Sequence, residues 1–214
     1  MSWFAGIELS GKRCLDLGSG SGIFSCLLGR RGASMTAMDL TENGVVLTRK
    51  TAGFFGQDLD VVRGDAERNP FGGGSFDFVF SWGVLHHTND MESAVREMGR
   101  VVAPDGRGLM MVYHRTSVVY YVHGLFWLIF RGKLFQGYNL ERVQDFYTDG
   151  YYHRYMTRKQ LGGMLARAGL RVTDFNVTQY KKKILPFIPA GLDRFLKARF
   201  GMCLVARFEK AEGA

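Results

Sequence analysis

Arg13-Cys14-Leu15-Asp16-Leu17-Gly18-Ser19-Gly20-Ser21-Gly22 is the stretch that decides the fold. Cys14, Leu15 and Leu17 form a short apolar run that reads as a buried strand. Glycines follow at alternate positions, and residues 23–31 then show helical spacing, with Phe24, Leu27 and Leu28 on one side. Strand, glycine turn and helix in that order cradle a ligand in an open α/β sheet. Glycine suits the turn because the backbone bends into unusual φ/ψ there, and because a ligand must approach bare backbone. Asp16 adds a carboxylate at the strand's end.

That carboxylate narrows the ligand. A dinucleotide site uses Gly-x-Gly-x-x-Gly, with a pyrophosphate on the helix N-terminus. Here the spacing is Gly-x-Gly-x-Gly behind an anion. An acid there suits a ligand carrying an ammonium and repels pyrophosphate. Residues 33–40 read as a second strand that ends at Asp39 and Leu40, and Thr41 is placed to cap a helix over 42–54. An acid roughly twenty residues past a glycine turn is placed to accept hydrogen bonds from ribose hydroxyls. Residues 59–63 give a third strand, followed by Gly64-Asp65-Ala66-Glu67. A loop by composition, 69–74, precedes a buried central strand at 76–80. After it comes Ser81-Trp82-Gly83-Val84-Leu85-His86-His87-Thr88-Asn89-Asp90, at the strand end where open α/β sheets bind ligands.

These four stretches, in this order over residues 12–113, resemble the class I S-adenosylmethionine-dependent methyltransferases of the small-molecule, ubiquinone-biosynthesis and sterol type. The resemblance implies an α/β fold, a Rossmann-like three-layer sandwich. Its sheet would have seven mostly parallel strands, the last one antiparallel. It implies a single domain over residues 1–214 with a substrate-region insert at about 114–155. It also implies S-adenosyl-L-methionine as cofactor and methyl transfer to oxygen, nitrogen or carbon of a small molecule. In the cofactor site, Asp16, Gly18, Gly20 and Gly22 would hold the methionine half and Asp39 the ribose, with Leu40 also among the cofactor-binding residues. Asp65 would receive the adenine amino group, and Ala66 would address the ring through its backbone. Ser81 and Trp82 would lie near the amino-acid end or the sulfonium. Members of this family usually carry helices ahead of the first strand, so Trp3, Phe4 and Ile7 read as a remnant of such a cap.

The remainder of the chain continues the pattern. Residues 90–102 form an amphipathic helix, closed by a turn at Ala103-Pro104-Asp105-Gly106, and 108–113 form a fifth strand. Within the insert, 118–130 read as an apolar helix with Tyr121, Leu125, Leu128 and Ile129 sharing a face. The insert either builds the substrate site or covers the sheet edge. Residues 157–168 are a capped helix ended by Gly169. A sixth strand at 170–177, a basic stretch opening at Lys181-Lys182-Lys183 and broken by Pro186 and Pro189, a helix at 192–200 and a last strand at 202–208 complete the chain.

Three histidines stand as base candidates: His86 and His87 after the fourth strand, and His114 at the end of the fifth. Imidazole suits proton removal near neutral pH, and adjacent residues face different ways, so one of the first pair can reach substrate. His86, His87 and Asp90 lack a recognised metal-ligand spacing, so no metal is expected.

Hydrophobic content of 46% and charged content of 22% describe an ordinary soluble globular protein. The net charge of +8 favours anionic partners: acidic substrates, nucleic acid or anionic lipid. The small-molecule substrate is therefore expected to be apolar or acidic. Against nucleic acid, the segment after the fourth strand reads Ser-Trp-Gly-Val, without the Asn/Asp-Pro-Pro-aromatic signature of enzymes that methylate base amino groups. The aromatic segment near 121–130 and the basic residues at 181–199 point to peripheral membrane contact. Cys14, Cys26 and Cys203 are odd in number and form no Cys-x-x-Cys pair. With no visible secretory signal, buried thiols in a reducing cytoplasm are expected. The sequence does not indicate an oligomeric state.

Overall fold

β1 (Arg13–Leu17) lies in the middle of the sheet, as its apolar run requires. The computed structural model describes Phe4 and residues 6–147, 153–178 and 189–213. The chain adds β2 (Ser34–Asp39), β3 (Asp60–Arg63), β4 (Phe76–Trp82), β5 (Val102–His114), β6 (Tyr155–Met156), β7 (Leu170–Thr178) and β8 (Cys203–Lys210). The strand order is β3-β2-β1-β4-β5-β8-β7, with β6 paired to β5. β8 is antiparallel to both β5 and β7, and the pairs among the first six strands are parallel. All seven expected strands are present. β6 is an eighth, two residues long, against Tyr113 and His114. A run that short has no period for sequence to display.

Helices cover both faces, giving three layers. On one face, Leu15, Leu17, Val79, Met110 and Leu204 pack with Val95 and Met98 of α3 (Met91–Val101) and with Leu161 and Leu165 of α5 (Arg158–Arg167). On the other, Cys14, Phe78, Phe80 and Val205 pack with Leu28 of α1 (Ile23–Gly29). α2 (Glu42–Phe54) starts where Thr41 is placed to cap it: the Thr41 side chain accepts from the Gly44 amide at 3.0 Å. Thr157 and Gln160 form a reciprocal capping box on α5. α4 (Val118–Leu125) and α6 (Ala190–Phe200) complete the helices named here.

Three expectations need correction. The turn at Ala103-Pro104-Asp105-Gly106 is a bulge inside β5: Phe76 pairs with Val102 and Phe78 with Arg107. Pro104 has no amide to give the ladder, and the chain loops out without reversing. Within the insert helix, Tyr120 and Leu128 face inward, while Tyr121, Leu125 and Ile129 are exposed. The helix changes to a π-turn at Phe126–Phe130, which rotates the face. Phe4 is not a lid residue. It is buried under the sheet with its ring 5.3 Å from Phe80. Trp3, Lys181, Lys182, Lys183 and Pro186 lie outside the described residues.

The register sets the site. Chain order reverses between β1 and β4, and ligands of such sheets sit in the crevice at that reversal. Leu17 pairs with Met38, Asp39 with Arg63, and Asp16 with Phe80, so the carboxyl ends of four strands meet at one edge.

Candidate active site

The glycine turn is held from below and open above. The amides of Gly18 and Ser19 both donate to the Met38 carbonyl, at 2.8 and 2.9 Å. The Gly20 amide donates to Asp39 Oδ2 at 2.9 Å, while Asp39 Oδ1 accepts from the amide and hydroxyl of Thr41. Asp39 therefore ties the turn to the start of α2. Gly18 has φ 89°, and a Cβ there would lie 2.4 Å from Val84. Gly20, at φ 52°, has nothing within 4 Å of a Cβ position, so the turn presents bare backbone to open space. Gly22 packs against Thr48 of α2, whose hydroxyl lies 2.9 Å from that of Ser19.

A cavity of ≈290 Å³ opens beside this turn. Gly18, Asp39, Leu40, Asp65 and Ala66 all line it, as does His87. Asp65 also caps the short turn that follows, accepting from the Glu67 amide at 2.9 Å. Three carboxylates, Asp39, Asp65 and Glu67, thus face one space. That suits a cationic ligand with hydroxyl and amino donors and opposes a pyrophosphate.

Other expected residues sit differently. Asp16 is only 2% exposed and lies below the turn, where its Oδ2 accepts from the Ser25 hydroxyl at 2.6 Å. Burial pushes its carboxyl up to about 7, opposed by the Ser25 hydrogen bond and reinforced by the charge of Asp39. It supports the turn and does not line the cavity. Ser81 is buried and donates to the Leu17 carbonyl at 2.9 Å, bridging β4 to β1. Trp82 packs with Phe24 and Phe80 on the α1 face of the sheet. Strand alternation puts these neighbours on opposite faces, Trp82 among the α1-side aromatics and Ser81 held by the Leu17 carbonyl, and Val84 lines the cavity where they were expected.

The three histidines separate cleanly. His114 is engaged at both ring nitrogens, with the Gly201 carbonyl at 3.0 Å and the Thr116 hydroxyl at 2.7 Å, so it is a structural residue. Burial holds its pKa below the usual imidazole range. His86 is fully buried, and neither ring nitrogen has a partner among the described residues. Burial, with His87 and His153 nearby, drives its pKa well below the ordinary value, so it stays neutral. His87 alone of the three faces the cavity. Its ring stands 4.2 Å from His86, 5.7 Å from Tyr113 and 6.3 Å from His153.

His153 borders a second cavity of ≈360 Å³. Tyr120, Tyr155 and Met156 line it beside Arg115, Arg142 and Arg154. Arg154 ties the two cavities together: its amide donates to the His86 carbonyl, and its guanidinium donates to the carbonyls of Thr88 and Asn89, each at 2.7 Å. Among the described residues, no three His, Cys, Asp or Glu side chains are grouped to hold a metal ion. No described helix is long and apolar enough to cross a membrane.

A family model described as a methyltransferase domain matches residues 15–110, the segment that carries the glycine turn and the acids above. That match covers just under half of the chain, and over it the sequence is similar to the class I S-adenosylmethionine-dependent methyltransferases. A biotin biosynthesis bifunctional protein of Cellvibrio japonicus is 37% identical to this chain over 100 residues, 47% of this chain and 19% of that protein. A ubiquinone biosynthesis O-methyltransferase of Pseudomonas aeruginosa is 28% identical over 172 residues, 78% of this chain and 67% of that one. The chain thus spans a fifth of the first relative's length and two thirds of the second's. In fold, it matches an S-adenosylmethionine-dependent methyltransferase from Mesorhizobium loti with a TM-score of 0.67 at 20% identity, over 95% of this chain and 93% of that one. The cofactor of the class is S-adenosylmethionine. The cavity fits it: carboxylates for a cation and for ribose and adenine donors, and an open backbone cradle at Gly20.

Ser25, Thr48 and Arg154 are the residues that the sequence motifs leave out. Ser25 and Thr48 sit on helices that pack against the turn, and a hydroxyl at either position carries no spacing signal. Arg154 comes from the far end of the insert and meets the site only through folding.

Proposed function

We propose that the protein transfers a methyl group from S-adenosylmethionine to a small-molecule acceptor seated beyond His87. The acid-lined cavity beside the glycine turn carries this reading. In it, Asp39 accepts the ribose hydroxyls next to Leu40, Asp65 and Ala66 address the adenine, and Gly18 and Gly20 give backbone room to the methionine half. Asp16 and Gly22 hold the turn in shape from below. Bound there, the cofactor supplies an electrophilic methyl on a sulfonium sulfur. The protein's task is alignment and exclusion of water. His87, on the wall between the two cavities, takes the proton when the attacking group is a hydroxyl or amine. The continuous sheet supports reading the chain as one domain, with residues 114–155 forming the acceptor side. Calorimetry with S-adenosylhomocysteine tests the reading. Asp39→Ala is expected to weaken binding by roughly 100-fold, through lost charge-assisted hydrogen bonds and a loosened turn. Unchanged affinity would remove Asp39 from the site.

A second reading concerns location. Leu125, Phe126, Ile129, Phe130, Leu134 and Phe135 are exposed on and after α4, Phe130 at 78% and Phe135 at 91%. Arg131 and Lys133 stand among them. Apolar side chains flanked by cations suit the surface of an anionic membrane. The buried thiols of Cys14, Cys26 and Cys203 support a reducing, cytoplasmic side. Co-sedimentation with anionic vesicles, lost in Phe130→Ser/Phe135→Ser, is the expected result. No sedimentation at low salt would end this reading.

A further inference from the structure

The second cavity has a charge balance that selects its occupant. Among the described residues, three guanidiniums line it, from Arg115, Arg142 and Arg154, against one carboxylate, Glu141. Glu141 neutralises little: its nearest oxygen is 3.9 Å from Arg115, and its side chain is 76% exposed. Arg142 lies over the Tyr138 ring at 5.0 Å and pairs with no carboxylate among the described residues. Arg154 donates to carbonyl oxygens of the segment after β4, which fixes its position. Arg115 and Arg142 therefore give the described lining of this cavity a cationic side, in contrast to the acid-lined space that His87 borders.

A second observation is independent of charge. Gln144 lines the same cavity and is only 2% exposed. Its amide nitrogen donates to the carbonyls of Tyr120 and Leu140, both at 3.0 Å, which fixes the orientation of the amide. Its Oε1 is then left buried with no partner among the described residues. A buried acceptor without a donor is costly, and a ligand donor would satisfy it. Tyr120, Tyr155 and Met156 give the remaining wall an apolar and aromatic character. Tyr155 stands 4.8 Å from Tyr120 and 5.6 Å from Tyr113 between ring centres, so the aromatic wall runs on to the residues around His87.

We propose that the acceptor is an organic acid with an apolar or aromatic body: Arg115 and Arg142 hold its carboxylate, and Gln144 Oε1 receives a hydroxyl or amine proton. This rests on the methyltransferase reading above and names the substrate class for it. Arg154, by tying the wall to Thr88 and Asn89, holds the acid at a fixed distance from the cofactor cavity. The net charge of +8 agrees with an anionic substrate.

The test is calorimetric, on the full chain saturated with S-adenosylhomocysteine. Three probes are titrated: 4-hydroxyphenylacetate, its neutral amide 4-hydroxyphenylacetamide, and phenylacetate, which lacks the hydroxyl. The acid is expected to bind at least roughly ten-fold more tightly than the amide and several-fold more tightly than phenylacetate. Arg115→Gln/Arg142→Gln should abolish the preference for the acid, and Gln144→Leu the preference for the hydroxyl. Both variants should keep wild-type affinity for S-adenosylhomocysteine, which also shows that they fold. Equal binding of acid and amide, no binding of the acid at millimolar concentration, or a preference that survives in the double arginine variant would overturn the proposal. Failure of S-adenosylhomocysteine to bind the wild type would instead sink the methyltransferase reading on which it stands.

Discussion

The two sides of His87 are built by different means. The cofactor side is made of backbone and short acids at the ends of β1, β2, β3 and β4, with each contributing residue within a few positions of a strand tip. The side proposed for the acceptor is made of long side chains drawn from segments around 115–120, 141–144 and 153–160. One side is anionic and gives close approach to the main chain. The other is cationic and aromatic. A cavity built from strand tips inherits the precision of the sheet register. One built from loops and long side chains can change its occupant without disturbing the sheet. A common cofactor and a variable acceptor call for that division of labour.

The sharpest way to break the contrast is at its seam. His87→Asn is expected to slow single-turnover transfer to a hydroxyl or amine acceptor by roughly 100-fold or more, while affinity for S-adenosylhomocysteine changes little. His114→Asn, engaged at both nitrogens away from the seam, should leave the rate intact. If the two variants behave alike in single-turnover assays, His87 is wall and not base.

On the cofactor side, Gly18→Ala tests whether the main chain itself is the binding element. The substitution forces a side chain into φ 89° and against Val84. Strain of about 1–3 kcal/mol should appear as a lower melting temperature and a roughly 100-fold weaker S-adenosylhomocysteine complex. The same substitution should leave acid recognition by Arg115 and Arg142 intact when the probes are titrated at saturating S-adenosylhomocysteine.

The last test concerns Asp16. Its carboxyl sits at about 7 in the folded protein, against about 3.9 in an unfolded chain. As pH rises from about 4 to about 7, the unfolded chain gives up this proton first, so stability falls with pH. Between pH 5 and pH 8, wild type should lose about 2–3 kcal/mol relative to Asp16→Asn, read from urea denaturation without cofactor. Parallel pH profiles for the two proteins would show that Asp16 is not buried as the acid the structure describes.

The sequence by itself determined the cofactor half. Its strands, its glycine turn and Asp39 follow from local periodicity and short spacing, and Asp65 from the resemblance of the segment after the third strand, because each lies at a strand tip that lines one cavity. Even there, orientation was decided by partners the motif does not show: Asp16 is held by the Ser25 hydroxyl and Ser81 by the Leu17 carbonyl, each away from the cavity. Only the tertiary structure decided the acceptor half. β6 pairs two residues with β5, Arg154 reaches back across the chain to Thr88, and Gln144 is turned inward by the carbonyls of Tyr120 and Leu140. Such contacts join residues far apart in the chain, and no one-dimensional period records them.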